Sequence, residues 1–316
     1  MNGLTLAKMF FESMGVGMLE SDFVSYRDRI AVGLVGEGSE CFGYDDSISR
    51  DHDWGPSFCM WLTDEDYNEI GVELQMAYDN LDPTALGYGR RISTSEGVGR
   101  VGVLRAKDFY RKFIGLPRAP TTLSEWRRIP EQYLASATNG EVFLDPLGEF
   151  SKIRADLLGF YPEDIRIKKI AARAAAIAQS GQYNYLRCAR RGELVAAALA
   201  LSEFIAKSCS MIYLLNRKYM PFYKWMHRGI HDLARLQECY DLLLTLCESH
   251  YLCSKLNKPT YSRTEKIVED ICICILQELQ IQGLTDLNST FLLDHCPSII
   301  SHIQDKELRK IHFMLD

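Results

Sequence analysis

The sequence is short of basic residues: 36 Lys and Arg stand against 42 Asp and Glu, which gives a formal net charge of −6. Proteins that coat nucleic acid need a basic face, so the shortage argues against a nucleic-acid partner, although a local basic groove stays compatible with it. No Cys-x-x-Cys pair occurs among the ten cysteines, since Cys272 and Cys274 are two positions apart. This spacing argues against a zinc site and favours buried, reduced thiols in a cytoplasmic protein.

Long apolar runs are also missing. The N-terminus lacks a basic region followed by an apolar core, so no signal peptide is predicted. The most apolar predicted helix, 194–215, is interrupted by Glu203 and Lys207, and no run approaches the roughly 18–20 residues that span a bilayer. A chain of 316 residues, 47% of them hydrophobic, can bury the cores of two domains. We therefore expect a soluble two-domain protein without a membrane partner.

What the sequence does contain is a turn of small residues after an apolar stretch. The run from Ile30 to Val35 predicts a buried strand, and Gly38 to Cys41 predicts a turn that opens a short helix. Backbone N–H groups of such a turn can approach an anion closely, and a helix N-terminus favours negative charge. A phosphate is therefore the expected ligand of Gly38 and Ser39, although an N-cap role alone would also explain Ser39.

Two acids, Asp51 and Asp53, follow at the start of the next predicted strand. Strand residues two apart point to the same face, so their Cα atoms would lie roughly 6–7 Å apart with both carboxylates on one side. Such a pair suits a hard cation, usually Mg²⁺, that keeps positions open for phosphate oxygens. A polar strand end in water is the alternative interpretation. His52 would point to the opposite face, where we expect it to be packed.

The turn and the acids together resemble a known signature. A Gly-Ser pair, eleven intervening residues and an Asp-x-Asp pair are typical of the DNA polymerase beta-like nucleotidyltransferase superfamily. The string from Gly38 to Pro56 is similar to a bacterial branch of it, whose layout is like that of aminoglycoside and lincosamide nucleotidyltransferases. The resemblance covers about 25–230, because three later segments are similar to the same branch: 139–150, 179–185 and 215–225.

The resemblance implies a ligand for each motif. Gly38 and Ser39 would hold a nucleoside triphosphate, with ATP expected, and Asp51 and Asp53 would be both the catalytic residues and the ligands of Mg²⁺. The expected reaction is transfer of a nucleoside monophosphate to an acceptor hydroxyl, on a small molecule. The alternative is a nucleotide-binding or interaction protein on the same fold that has little or no turnover. The acceptor, the base preference and the oligomeric state stay open.

One departure from the superfamily pattern favours that alternative. Many members place a third carboxylate on the next strand, where it shares the metals or acts as a base. Here Gly102 stands where that acid is expected. The third acid is then Asp145, Glu73 or Glu141, or it is absent.

Three further acids lie close to the predicted phosphate site. Glu40, Asp45 and Asp46 add negative charge there, which is unfavourable unless cations offset it. A metal ion or a cationic acceptor would offset it.

Basic residues are concentrated in the helical second half. Seven basic residues against two acidic ones occur from Glu163 to Arg191. A solvated helix face is the expected interpretation for most of them, with one or two left to contact phosphate. Lys224, which stands among aromatic residues, would either reach a phosphate or extend its stem over Tyr223 and Trp225 with its charge in water.

Periodicity and turn residues predict an α+β protein, with a small mixed-sheet nucleotidyltransferase domain over 1–150 and an all-α helical bundle domain over 151–316. Strands are predicted at 29–36, 51–62, 100–104 and 141–144. Helices are predicted at 3–19, 64–81, from 107, within 121–137, and at 162–179, 192–216, 229–256 and 262–282, with a terminal piece from 289. A loop at 87–99 and a turn at 180–185 separate some of these elements.

Overall fold

The computed structural model describes residues 1–95, 97–256 and 261–316. The chain forms two compact units. The first, here called the sheet unit, consists of 1–121 and 129–159, and the second, the helical unit, consists of 122–128 and 160–316. The chain therefore passes from one unit to the other after Thr121, Arg128 and Gly159.

Within the described residues, four short strands form one sheet in the order β3-β2-β1-β4. The strands are β1 Ala31–Leu34, β2 Cys59–Leu62, β3 Gly102–Arg105 and β4 Glu141–Leu144. β1 is antiparallel to both β2 and β4, whereas β2 and β3 are parallel. The small mixed sheet, together with the many helices, confirms the predicted α+β class.

Helices make up most of the remaining described chain. The α-helices are α1 Gly3–Phe10, α2 Val16–Ser21, α3 Asp64–Asp79, α4 Ala106–Ile114, α5 Leu123–Arg128, α6 Glu131–Thr138, α7 Glu149–Leu158, α8 Glu163–Ile177, α9 Leu186–Arg190, α10 Leu194–Leu215, α11 Glu238–Leu256, α12 Tyr261–Ile281, α13 Cys296–Ser301 and α14 Lys306–Lys310. Two π-helical segments, Phe11–Gly15 and Ala178–Tyr185, continue α1 and α8. Short 3-10 turns are Arg27–Arg29, Glu40–Phe42, Ile48–Arg50, Pro83–Leu86, Arg228–Asp232 and Leu292–His295.

The two central strands, β1 and β2, are buried on both faces of the sheet. Met60 and Leu62 of β2 belong to a core cluster with Phe10 of α1 and Leu74 of α3. Trp61, between them in sequence, points to the other face, as expected for a strand. There its ring stacks on Phe150 of α7 at a centroid distance of 3.8 Å. Burial on both faces explains why β1 and β2 are continuous apolar runs instead of alternating ones.

The helical unit is built around α8, which packs against α5, α10, α13 and α14. The Trp126 ring of α5 makes an edge contact with Tyr161, just before α8, at 5.8 Å. By length and composition alone, α10 could cross a membrane. Of its 18-residue apolar stretch, 44% is buried within the protein. A core helix of a water-soluble protein passes the same test, so this one helix is weak evidence for a membrane span.

Several predicted elements have the expected bounds, but β2 does not. The prediction placed a strand from Asp51 to Leu62, whereas β2 begins only at Cys59. Asp53 has a φ of 53° and Gly55 one of 142°, which are turn conformations, and Pro56 cannot donate to a ladder. The segment from Asp51 to Phe58 is therefore a loop that leads into the strand.

Two predictions in the helical unit are also wrong. The segment 180–185 is not a turn but part of a π-helix. Within it, Gly181 lies against the ring of Phe204 in α10, where a methyl group would approach the ring to 2.2 Å. The predicted helix 229–256 begins only at Glu238, since Leu236 has a φ of 61° and interrupts it.

One tight backbone contact fixes the start of β4. A methyl group at Gly140 would lie 1.9 Å from the carbonyl oxygen of Leu34 at the end of β1. The Arg154 guanidinium donates to the carbonyl oxygens of Thr138, Asn139 and Gly140 at 2.8, 3.1 and 3.1 Å. These three residues connect α6 to β4, so Arg154 fixes the conformation of this connection.

A matched pair of glycine substitutions tests this contact. Gly140 and Gly148 both have positive φ, 62° and 72°, but a methyl group at Gly148 would meet no atom within 4 Å. We expect Gly148→Ala to lower the free energy of unfolding by about 1–2 kcal/mol, the cost of a left-handed alanine. Gly140→Ala should cost several times more, because backbone must move. Equal losses of the two variants in urea unfolding would show that the contact is not tight.

Candidate functional site

Strand directions bring four connecting segments to one edge of the sheet, here called the site edge. The end of β1 lies beside the start of β2, since Gly33 pairs with Cys59, and beside the start of β4, since Leu34 pairs with Glu141. The start of β3 is at the same edge, because Gly102 pairs with Cys59. The Gly-Ser turn follows β1, and the two predicted metal ligands precede β2, so antiparallel pairing places them at the same edge.

The turn that follows β1 is fixed by Asn139. The Asn139 side chain accepts from the Gly36 N–H at 2.8 Å and donates to the Gly36 carbonyl oxygen at 2.7 Å. Gly36 and Gly38 have φ values of 125° and 121°, which side chains rarely permit. The two hydrogen bonds of the Asn139 side chain and the positive φ values of the glycines therefore fix the conformation of the turn.

Ser39 stands at the predicted position but does not act as a cap. It precedes Glu40–Phe42, a single 3-10 turn that replaces the predicted short helix, and its side chain makes no capping hydrogen bond. The backbone carbonyl oxygen of Ser39 accepts from the N–H groups of Phe42 and Tyr44 at 3.1 and 2.9 Å. The N-cap interpretation of the Ser39 hydroxyl is thus wrong.

The Glu40 carboxylate fills the space beside Gly38. A methyl group at Gly38 would lie 2.5 Å from Glu40 Oε2. Glu40 is 4% exposed, and its Oε1 pairs with the similarly buried Arg91 guanidinium at 3.2 Å. Burial raises the pKa of Glu40, and the Arg91 charge opposes this shift without cancelling it. The turn predicted to cradle a phosphate therefore already faces an anion of the chain itself.

The other two acids near the turn have structural contacts. Asp45 accepts from the Gly3 N–H at the start of α1, at 2.8 Å, and from the Trp54 indole at 3.0 Å. Asp46 accepts from the N–H groups of Ile48 and Ser49 at 2.9 and 3.1 Å. Backbone and indole donors thus hold Asp46 and one oxygen of Asp45, whereas Oδ1 of Asp45 is buried without a hydrogen-bond partner.

Asp51 and Asp53 do not share a strand face, so that prediction is wrong. Both lie in the loop before β2, and the Asp51 side chain is 64% exposed whereas that of Asp53 is 8% exposed. Asp51 pairs with the His52 ring at 2.9 Å. His52, predicted to be packed, has a side chain that is 55% exposed.

The buried acid, Asp53, is held by the loop before β3. Its two oxygens accept from the N–H and the hydroxyl of Thr94 at 3.0 and 2.7 Å, and Arg100 lies 3.6 Å away. Burial alone would raise the pKa of Asp53, but the Thr94 hydrogen bonds and the charges of Arg100 and Arg91 outweigh it and lower the pKa. Asp53 is therefore ionised at neutral pH, as a metal ligand must be.

The donor chemistry of these two acids fits a single hard cation. A carboxylate has about four lone-pair positions, so Asp53 can accept from Thr94 and still present one to a cation. Asp51 is exposed, and its carboxylate pairs with the His52 ring. Among the described residues no group of three His, Cys, Asp or Glu side chains is placed to hold a metal. A cation here would keep waters or substrate oxygens as its other ligands, which Mg²⁺ tolerates.

The three candidates for a third carboxylate have other positions. Asp145 follows β4 at the opposite edge, where it accepts from the N–H groups of Gly148 and Ser151 at 3.0 and 2.7 Å. Glu73 is exposed on α3. Glu141 lies at the site edge, where it pairs with Lys8 at 2.6 Å.

Gly102 begins β3 at the site edge, and the space beside it is occupied. A methyl group there would lie 2.6 Å from Oε1 of Gln75, and this oxygen accepts from the Val103 N–H at 2.8 Å. An amide of α3 thus fills the position at which the superfamily pattern places an acid.

Sequence reasoning missed the cations at this edge. Arg100 lies 3.2 Å and Lys112 2.7 Å from the same oxygen of Glu37, in the Gly-Ser turn. Arg91 also donates to Ser57 at 3.1 Å. These cations neutralise the acids of the edge. Arg91 and Arg100 stand in or beside a Gly-rich loop, where no periodic pattern indicates burial, so the sequence offered no signal for them.

A pocket of about 280 Å³ opens beside Arg91 in the sheet unit. Its lining includes Ser57, Gln75, Tyr78, Arg91, Gly97 and Gly99. The Asp53 carboxylate lies directly behind the wall, since a methyl group at Gly97 would approach Asp53 Oδ1 to 1.8 Å. The pocket is therefore the place at the site edge where a small ligand would lie next to the buried acid.

Lys224 and the basic segment belong to the helical unit. Lys224 is exposed in a turn, and its phosphate contact stays a prediction. Three of the seven basic residues are buried, so a solvated face is the wrong interpretation for them: Arg166, Lys168 and Lys169. Three others are exposed as expected: Arg187, Arg190 and Arg191.

Comparison with known proteins gives one family match. Residues 126–226 match the family described as Domain of unknown function (DUF4037), which is less than half of the chain. Neither the curated proteins nor the solved structures contain a match.

The buried pair of Glu40 and Arg91 can be tested against an exposed pair. We expect Arg91→Gln to lower the free energy of unfolding by about 3–5 kcal/mol, because it leaves a buried carboxylate without its cation. Lys107→Gln removes the cation of the exposed Asp64–Lys107 pair, 2.8 Å apart, and should have little effect. Urea unfolding of both variants measures the difference. A loss for Arg91→Gln no larger than for Lys107→Gln would mean that the Glu40 charge is solvated.

Proposed function

We propose that this protein is a Mg²⁺-dependent nucleotidyltransferase that transfers a nucleoside monophosphate from a nucleoside triphosphate, ATP by preference, to an acceptor hydroxyl on a small molecule. The observation that carries the proposal is the meeting of the Gly-Ser turn and the two acids at one sheet edge. The resemblance of the sequence around these residues to the nucleotidyltransferase signature also supports it.

Each part of the site edge has a role in this proposal. The turn at Gly38 and Ser39 orients the β- and γ-phosphates through its N–H groups and the uncommitted serine hydroxyl. Asp51 and Asp53 hold Mg²⁺, which when bound offsets phosphate charge. Thr94 and Arg100 keep Asp53 ionised and in position. The acceptor hydroxyl attacks the α-phosphorus in line, the bond from that phosphorus to the bridging oxygen of the β-phosphate breaks, pyrophosphate leaves, and the hydroxyl proton passes to solvent. Positioning and charge supply most of the catalysis.

The fixed contacts of Glu40 decide how a triphosphate would enter. Its carboxylate must leave the space beside Gly38, or the phosphates must use the other side of the turn. The pairing with Arg91 offsets the repulsion that Glu40 would otherwise exert on a phosphate.

A second candidate function is nucleotide binding without turnover. It is favoured by Gln75, whose amide fills the space at Gly102 where the superfamily pattern has a carboxylate. In this case Asp51 and Asp53 still bind Mg²⁺ and nucleotide, but no transfer to an acceptor follows.

Replacement of the two acids tests the metal site. We expect Asp51→Asn and Asp53→Asn each to remove the Mg²⁺ dependence of ATP binding in calorimetry, because each loses a charged ligand. Asp51→Asn should leave the melting temperature unchanged, since Asp51 is exposed, whereas Asp53→Asn should lower it. Asp28→Asn, at an exposed acid of the same unit, is the control.

Unchanged Mg²⁺-ATP affinity in both variants would contradict the metal site. Incubation with Mg²⁺, labelled triphosphates and a metabolite extract then separates the two candidates. A product heavier by a nucleoside monophosphate, made by the wild type and not by Asp53→Asn, supports transfer. Mg²⁺-ATP binding without such a product supports binding alone.

Ser39→Ala has a matched control in Ser47→Ala. Both serines precede a 3-10 turn, and neither side chain makes a capping hydrogen bond. Neither variant should change stability, but Ser39→Ala should weaken Mg²⁺-ATP binding because it removes a phosphate donor. If the two variants bind Mg²⁺-ATP equally well, the Ser39 hydroxyl does not contact the nucleotide.

A further inference from the structure

The helical unit contains a cluster of buried cations on α8 that the proposed function does not use. Lys168 and Lys169 are 1% and 4% exposed, and the Arg173 side chain is 13% exposed. Lys169 and Arg173 are four residues apart, so they project from the same helix face. Residues 311–316, here called the tail, cover this cluster.

Lys168 binds the tail through its backbone. Its ammonium donates to the carbonyl oxygens of Ile311 and His312 at 2.6 and 2.8 Å. Burial and the nearby Arg127 charge lower the pKa of Lys168 to about 8, while Asp316 opposes that shift. The Arg127 Nε is buried and has no hydrogen-bond partner. Burial of the Lys168 and Arg127 charges close together therefore lowers the free energy of unfolding.

Lys169 and Arg173 share one carboxylate of the tail. Oδ2 of Asp316 lies 2.7 Å from the Arg173 guanidinium and 3.5 Å from the Lys169 ammonium. Burial would raise the pKa of Asp316, but the charges of Arg173 and Lys169 outweigh it and lower the pKa. Asp316 is therefore an anion held between two cations.

Next to Asp316, the tail has little apolar burial to hold it in place. Met314 and Leu315, next to Asp316, are 46% and 58% exposed. Hydrophobic stabilisation is roughly proportional to the apolar area removed from water, so these side chains add little. Polar contacts with α8 fix the end of the tail, and a stronger anion can therefore compete with Asp316.

We propose that Lys169 and Arg173, with Lys168 beside them, form a binding site for a terminal phosphate group, and that Asp316 occupies this site from within the chain. A terminal phosphate carries up to two negative charges and three acceptor oxygens, whereas the Asp316 carboxylate carries one charge. The Arg guanidinium forms a fork that matches phosphate oxygens, and a Lys ammonium adds a point charge.

The residues of this site all lie in the helical unit, whereas the residues proposed to bind the nucleotide lie in the sheet unit. Binding of the phosphate breaks the contacts of Asp316 with Lys169 and Arg173 and frees the end of the tail. The Lys168 contacts with Ile311 and His312 stay in place. No covalent step is involved.

Calorimetry with inorganic pyrophosphate in the presence of EDTA tests the site without Mg²⁺. We expect the full chain to bind pyrophosphate, and Asp316→Asn to bind it about tenfold more tightly, because a competing charge-assisted hydrogen bond is weakened. Asp286→Asn, at an exposed acid of the same unit, should leave the affinity unchanged. Arg173→Gln should weaken binding about tenfold or more, and Arg190→Gln, at an exposed arginine, should not.

Hydrogen exchange gives a second readout that does not depend on the stability of the variants. Pyrophosphate should speed exchange of the wild-type amides of residues 313–316 and should leave α8 protected. The exchange readout reports only on residues 313–316, so Ser39→Ala, in the sheet unit, should show the same change in the tail as the wild type whether or not the Gly-Ser turn binds phosphate.

Three results would overturn the proposal. The first is an Asp316→Asn affinity equal to that of Asp286→Asn, together with unchanged exchange in the tail. The second is equal affinity of Arg173→Gln and Arg190→Gln. The third is equal competition by an oligonucleotide that lacks terminal phosphates, since phosphodiesters would then be the ligand.

Discussion

The candidate site depends on the antiparallel pairing of β1 with both of its neighbours. This pairing turns the end of β1 and the starts of β2 and β4 to one edge, and the parallel β3 adds its own start. The strands approach closely because β1 contains Gly33, where a methyl group would lie 2.4 Å from the carbonyl oxygen of Glu141. The pairing of β1, which Gly33 permits, thus brings the loops of the candidate site to the same edge of the sheet.

Both units contain buried charges that partners within the same unit stabilise, and these charges are negative in the sheet unit and positive in the helical unit. At the site edge, buried acids such as Glu40 and Asp53 are stabilised by arginines and by Thr94. On α8, buried cations are stabilised by backbone carbonyl oxygens and by Asp316. In both places a buried charge that loses its partner is costly, so a ligand that displaces an internal contact must replace the charge of that contact.

The sequence was sufficient to predict the α+β class, the turn after β1 and the position of Gly102, because apolar runs and glycines report local backbone preferences directly. It was not sufficient for the geometry of Asp51 and Asp53. Their spacing suggested a strand, whereas the loop conformation comes from Gly55, Pro56 and the contacts of Asp53 with Thr94, about forty positions away. Arg91 and Asp316 were missed for the same reason, since long-range pairing has no local pattern.

The path of the chain between the units limits how the protein can be divided. The α5 segment, 122–128, packs in the helical unit although the chain on both sides of it belongs to the sheet unit. If the chain were divided once, near residue 159, α5 would stay in the fragment that contains the sheet unit. Its Trp126 ring would then lose the contact with Tyr161. Neither unit is formed by one continuous segment of the chain. In a recombinant of related chains, 122–128 and the sequence after Gly159 would therefore need to come from the same parent for the helical core to stay complete.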